Sequence, residues 1–181
     1  MDPAANLLAW SEDLSNAVWS PAPLLTLTGG VTDPFGGTAA WVAGNAGAGA
    51  QSITQVLNAP AAYLYCFSVY LRAAQATAVT VQVGANRGTF PVGPDWTRVM
   101  LARNGDASAA SIAFAIELPT DASVDLFGPQ VEAQGAASRY KTSTTGGLYE
   151  NARFRDDVFR FTTTDVNRHS ATVTILYANH L

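Results

Sequence analysis

Large apolar side chains fall at every second position through residues 62–72 (AYLYCFSVYLR), where Tyr63, Tyr65, Phe67, Val69 and Leu71 alternate with Leu64, Cys66, Ser68, Tyr70 and Arg72. Side chains of a strand point alternately to its two faces. The odd row therefore predicts one face in a core, and the even row, more polar towards its end, a half-solvated one. Aromatic and β-branched residues suit such a pleated surface. The stretch reads as the central strand of a β-sandwich, since a single antiparallel sheet would leave the odd row uncovered.

The same reading extends along the chain. Residues 6–19 (NLLAWSEDLSNAVW) hold two Trp that predict packing against a sheet, with a helical turn capped by Ser11 as the alternative. Residues 25–28 alternate Leu and Thr, and the Gly- and Pro-rich run 28–38 reads as a double turn. Strands are predicted at 38–42, 51–57, 79–83, 96–102, 112–118 and 123–132, the last interrupted by a bulge at Gly128-Pro129. Asn86-Arg87-Gly88, Gly93-Pro94-Asp95 and residues 103–107 read as turns. Short strands between closely spaced turn signals, with no sustained 3.6-residue period and no solenoid-length repeat, indicate an all-β antiparallel sandwich of jelly-roll type.

From residue 148 the character changes. Glu150, Arg153, Arg155, Asp156, Asp157, Arg160, Asp165 and Arg168 crowd into a chain of which only 13% is charged, interleaved with Tyr149, Phe154, Phe159 and Phe161. Residues 171–177 (ATVTILY) are β-prone, and such an exposed strand calls for a partner. The division is therefore a sandwich over 1–147 and a C-terminal extension over 148–181 for oligomerisation or attachment. Arg153, Phe154, Arg155, Phe159, Arg160 and Arg168 are its candidate interface residues, because mixed charge around aromatic anchors is what a partner surface needs. Completion of the sandwich core by these aromatics is the competing reading.

Composition narrows the function. A formal net charge of −4, with no Lys or Arg before Arg72, argues against nucleic acid as a partner. The single cysteine, Cys66, excludes an internal disulfide and reads as a small apolar side chain inside a strand. Neither a secretory leader nor a membrane-spanning run is visible, so synthesis in the cytoplasm without membrane insertion is expected. His169 and His180 lie in the extension outside any metal-ligand spacing, and the glycines around Asp33 lack a phosphate-loop lysine. Carboxylates such as Asp125 and Glu132 form no evident catalytic pair. No enzyme activity, cofactor or metal is expected. Binding is a better prospect: Tyr70, Arg72, Gln82 and Arg98 would form a patch able to stack on sugar rings and bond their hydroxyls. The plainer alternative is the polar exterior of a sheet, or a face that another subunit covers.

Four blocks carry a resemblance. NLLAWSEDLSNAVW, YCFSVYLRA (65–73), WTRVMLA (96–102) and LFGPQVEAQGAASRYKTSTTG (126–146) agree in order and spacing with the carbohydrate-binding-like jelly-roll domains of tailed-phage tail, fibre and spike proteins. Phe127 stands where those domains usually carry an aromatic, often Trp, which is a conservative departure, and Tyr140-Lys141-Thr142 replaces a more apolar Tyr-Ile-Pro. The charged extension has no counterpart among them, and they offer no uniform catalytic motif to carry over. The resemblance implies a virion structural protein: a small spike or fibre component of a phage or gene-transfer particle. Such a part is made in the host cytoplasm and released by lysis. Its expected partners are other virion proteins, further copies of itself and a cell-surface polysaccharide. A structural adaptor or decoration protein of head or tail, without glycan binding, is the second reading.

Overall fold

The computed structural model describes residues 5–106, 108–147, 153–154, 162–165 and 168–176. The chain divides into two compact units, Met1–Gly147 and Leu148–Leu181. The first unit contains ten strands: β1 (Ser20–Pro21), β2 (Leu25–Val31), β3 (Ala40–Asn45), β4 (Gln51–Leu57), β5 (Leu64–Arg72), β6 (Thr77–Val83), β7 (Asn86–Val92), β8 (Thr97–Asn104), β9 (Ile112–Leu118) and β10 (Ser123–Glu132). They form two five-stranded antiparallel sheets, β1-β4-β9-β6-β7 and β2-β3-β10-β5-β8. This is an all-β jelly-roll sandwich, and no helix occurs among the described residues.

Alternation sets the core. Phe67, Val69 and Leu71 of β5, with Val79, Val81 and Val83 of β6, are completely buried between the sheets. Phe114 of β9 meets Tyr65 and Phe67 edge-on at 5.8 and 5.7 Å. At about 1.5–3 kcal/mol for each large apolar side chain removed from water, this double row is the main stabilising term of the unit. The anticipated bulge is present: Phe127 pairs with Tyr70 and Gln130 with Ser68, so Gly128 and Pro129 together stand opposite the single residue Val69.

Several expectations need correction. β5 is second from the edge of its sheet, and the central position belongs to β10. The outer side of β5 is not evenly half-solvated, since Cys66 and Ser68 are fully buried. Asn86-Arg87-Gly88 is not a turn. The chain reverses at Gly84-Ala85, where Gly84 has φ 58°, and Asn86 already pairs with Val83. Primed two-residue turns favour glycine in that place. β2 continues to Val31 and β8 to Asn104, past the turns expected there. Of the two tryptophans, Trp19 is buried while Trp10 stays largely on the surface, and the segment is built of turns rather than a capped helix.

In the second unit, β11 (Arg153–Phe154) pairs with β14 (Ile175–Leu176) and β12 (Thr162–Asp165) with β13 (Arg168–Ser170). The β-prone run at 171–177 thus contributes a two-residue strand that pairs inside its own unit. Of the candidate interface residues, Arg153 and Phe154 form β11 and Arg168 opens β13. Arg155, Phe159 and Arg160 lie outside the described residues.

Candidate functional site

The outer face of the β2-β3-β10-β5-β8 sheet carries the site. Register places Tyr70 of β5 between Phe127 of β10 and Arg98 of β8. The three side chains form a row across the strands, with the Arg98 guanidinium 5.3 Å from the Tyr70 ring centre. A cation over an aromatic face at that range is attracted by the ring quadrupole.

Two segments build walls on this floor. The first is a strap, residues 133–147, that leaves β10 and returns over the sheet. Buried polar groups fasten it, as a low-dielectric setting requires of each of them. The Glu132 carboxylate, fully buried, accepts the Ser138 N–H at 2.9 Å and the Ser138 hydroxyl. Gln130, equally buried, accepts the Lys141 N–H at 2.7 Å and donates to the Arg139 carbonyl. Arg98 donates to the Ser138 carbonyl and, at 2.9 Å, to the Ser68 hydroxyl. The strap lays Tyr140 over the bulge, with its ring 5.0 Å from Phe127. Gly128 has φ 60° there, and a Cβ on it would come within 2.7 Å of the Tyr140 ring. Only glycine meets both demands.

The Tyr140 hydroxyl donates to Glu12 at 3.0 Å and shares a 3.0 Å hydrogen bond with Ser11. Burial pushes its phenol well above the ordinary value; a hydrogen bond from Ser11 opposes this and the Glu12 charge reinforces it. The N-terminal segment grips the same strap through Asn6, whose side chain donates to Pro129 and Lys141 carbonyls and accepts from Leu8 and Val131 N–H groups.

The second wall is the turn between β2 and β3. One oxygen of Asp33 accepts the N–H of Phe35 at 2.8 Å and of Gly37 at 3.1 Å, and the other accepts that of Ala39 at 3.3 Å. Such Asx bonding is what fixes turns of this composition. Burial works against the Asp33 charge, but these backbone donors outweigh it and hold the carboxyl below its ordinary 3.8. The turn presents Phe35 at 66% exposure, the highest among the described large apolar side chains of the unit. Its ring stands edge-on to Tyr70 at 5.6 Å and stacks on Tyr140 at 6.4 Å with 13° between planes. Floor and walls enclose an open groove of about 990 Å³ with Arg98, Arg139 and Lys141 among its lining.

Of the four residues expected to form one patch, Tyr70 and Arg98 meet in this groove. Arg72 shares their sheet face but is committed elsewhere: it bonds Asp125 at 2.7 Å, lies 4.7 Å over the Trp96 ring and lines a separate cleft of about 570 Å³. Gln82 does not join them. Residues 73–76 carry the chain across the sandwich, so β6 belongs to the other sheet, where Gln82 donates to Glu117 and Arg87 pairs with the same carboxylate. Consecutive strands are often neighbours, and here they are not. Sequence reading also missed Phe35 and Tyr140. A usable signal existed for Phe35, because an aromatic at the tip of a Gly- and Pro-rich turn has little within reach to bury it.

Cys66 is buried, and burial, with the Glu132 charge adding to it and Arg98 opposing, pushes its thiol up. That is the setting of a packing residue rather than a nucleophile. Among the described residues no group of three or more His, Cys, Asp or Glu side chains could hold a metal ion. Flat aromatic faces beside cationic and hydroxyl donors are suited to reversible binding of a ring-shaped polar ligand.

No family model and no curated protein matches the sequence. Solved structures do match the fold. The CBM22-1 xylan-binding domain of Paenibacillus barcinonensis Xyn10C superposes with a TM-score of 0.58 at 12% identity, over 76% of this chain and 99% of that one. A putative sugar binding protein from Bacteroides thetaiotaomicron gives 0.54 at 13%, over 71% and 100%. The enzymatically active domain of tailspike protein 4 from bacteriophage CBA120 gives 0.53 at 14%, over 70% of this chain but 21% of that one. The sandwich therefore has the jelly-roll fold of carbohydrate-binding modules.

Proposed function

We propose that the chain is a glycan-contacting component of a phage or phage-like particle, a small spike or fibre part that holds a host surface polysaccharide in the groove between the Asp33 turn and the strap. One observation carries this reading: Phe35, largely exposed, stacks on Tyr140 above a floor of Tyr70 and Arg98. Leaving a large aromatic in water at the tip of a turn tied by three backbone bonds makes sense if a ligand covers it. The fold shared with a xylan-binding domain supports the glycan half of the proposal, and the tailspike likeness together with the four sequence blocks supports the virion half. Binding rather than catalysis is the proposed role, and the virion the proposed location. The extension, 148–181, is proposed to join the subunit to its neighbours or to the particle.

The structural-adaptor reading has an observation of its own. The outer face of the β1-β4-β9-β6-β7 sheet bears small or polar side chains such as Thr54, Ala113, Ala115 and Thr80, with Val56 58% exposed. A face of small side chains with an exposed Val is one that another subunit could cover. Binding of the assembled, multivalent protein to a panel of bacterial capsular and surface polysaccharides separates the readings, since single-site affinity for sugars is weak. Retention on at least one polysaccharide, reduced roughly tenfold by Phe35→Ala, is expected. Absence of retention across the panel hands the protein to the adaptor reading.

A further inference from the structure

Hydrogen-bonding capacity in the groove is lopsided. Its side-chain donors include three cations, Arg98, Arg139 and Lys141, which are half of the six Lys and Arg in residues 1–147. The same residues carry ten Asp and Glu, so the unit is acidic, at six minus ten or −4, while its cations gather here. No Asn or Gln lines the groove, and its two carboxylates already accept hydrogen bonds from the protein. Asp33 is engaged by the amides of its own turn and Glu12 by the Tyr140 hydroxyl. Arg139 is exposed on the strap beside Tyr140. A neutral sugar offers hydroxyls that both donate and accept, and it is best held where amides and open carboxylates can receive its protons. Of its cations, Arg98 is committed to the Ser138 carbonyl and the Ser68 hydroxyl, whereas the Arg139 guanidinium is exposed at the rim.

We infer that the groove selects acidic saccharides: a ring with a carboxylate, sulfate, phosphate or pyruvate ketal whose anion meets Arg139 while its apolar side lies on Phe35 and Tyr140. The inference rests on the glycan-binding reading above and specifies the ligand class within it. Arginine forks match planar oxyanions in bidentate geometry, and such charge-assisted bonds are about twice as strong as neutral ones. An anion at the rim of an open groove remains partly solvated, so added salt weakens the contact.

The test uses the full-length protein on an array of acidic and neutral polysaccharides, each acidic ligand that binds being re-measured after reduction of its carboxyl groups or chemical removal of its other acidic substituents. Retained ligands are expected to be acidic, to lose about tenfold in affinity when neutralised, and to lose several-fold between 50 and 300 mM salt, as estimated for exposed ion pairs. Arg139→Ala, which leaves the strap's fastening bonds in place, is expected to lower binding of the acidic form about fivefold and that of the neutralised form much less. Preference for neutral polysaccharides, or affinity indifferent to neutralisation and to Arg139→Ala, overturns the inference while leaving glycan binding standing. No retained glycan of either kind removes the glycan reading and this inference with it.

Discussion

Phe35 and Phe67 are the same amino acid in opposite roles, and the difference is where the backbone puts them. Phe67 points into the sandwich with no exposed surface, between Leu101 and Val131 in the register and edge-on to Phe114. Phe67→Ala should cost about 3–5 kcal/mol in chemical denaturation, the range for a large aromatic lost from a core. Phe35→Ala should cost under about 1 kcal/mol, its effect appearing in binding instead. Asp33 sets the exposed role, because its carboxylate shapes the turn that displays Phe35. Its folded pKa lies below 3.8. The stability it contributes is thus fully present above that value and is lost as pH falls through the lower folded one. An NMR titration of the Phe35 and Ala39 amides should show a midpoint below 3.8, and Asp33→Ala should abolish it and loosen the turn. The buried role was readable, since Phe67 sits in an unbroken alternation. The exposed one depends on Tyr140, which is distant in sequence and unconnected by any period.

At the scale of elements, the strands whose bounds read correctly carry a regular alternation of buried positions, apolar throughout in β9 and broken in β4 only by buried Gln55. β4, β9 and β10 begin and end at the residues the alternation indicates. β7 was hidden because its inward row is Asn86, Gly88, Phe90 and Val92, half of it without apolar character. A Cβ on Gly88 would press on Leu101 at 3.1 Å, so close packing explains a glycine that resembled a turn. The strap could not be read, because its order comes from side chains of other elements, Asn6, Gln130 and Glu132, rather than from a pattern of its own. Gly128 tests that account. Gly128→Ala forces a left-handed alanine against the Tyr140 ring and should destabilise the unit by roughly 1–2 kcal/mol or more. Glycan binding should weaken as well, as Tyr140 is displaced. A variant with wild-type melting and wild-type binding would mean the strap tolerates movement that its contacts forbid.

For the molecule as a whole, two sheets with unlike outer faces divide the work. One is overlaid by strap and turn to make an aromatic, cation-bearing groove, and the other carries Thr54, Thr80, Gln82 and the Arg87–Glu117 pair. The compact unit Met1–Gly147 contains both sheets and the groove. Protein ending at Gly147 should accordingly fold, stay soluble and bind glycan with the monovalent affinity of the full chain, while failing to join the particle. Incorporation of the truncated protein would remove attachment from the extension. Which candidate residues share a sheet face was beyond the sequence, because it turns on residues 73–76 crossing between sheets, and that crossing sent Gln82 away from Tyr70. The direct measurement is amide chemical-shift mapping of the 1–147 unit during titration with a bound polysaccharide's oligosaccharide. Shifts gathered on Phe35, Tyr70, Arg98, Arg139 and Tyr140 are the predicted result, and shifts gathered on Thr80, Gln82, Arg87 and Glu117 would contradict it.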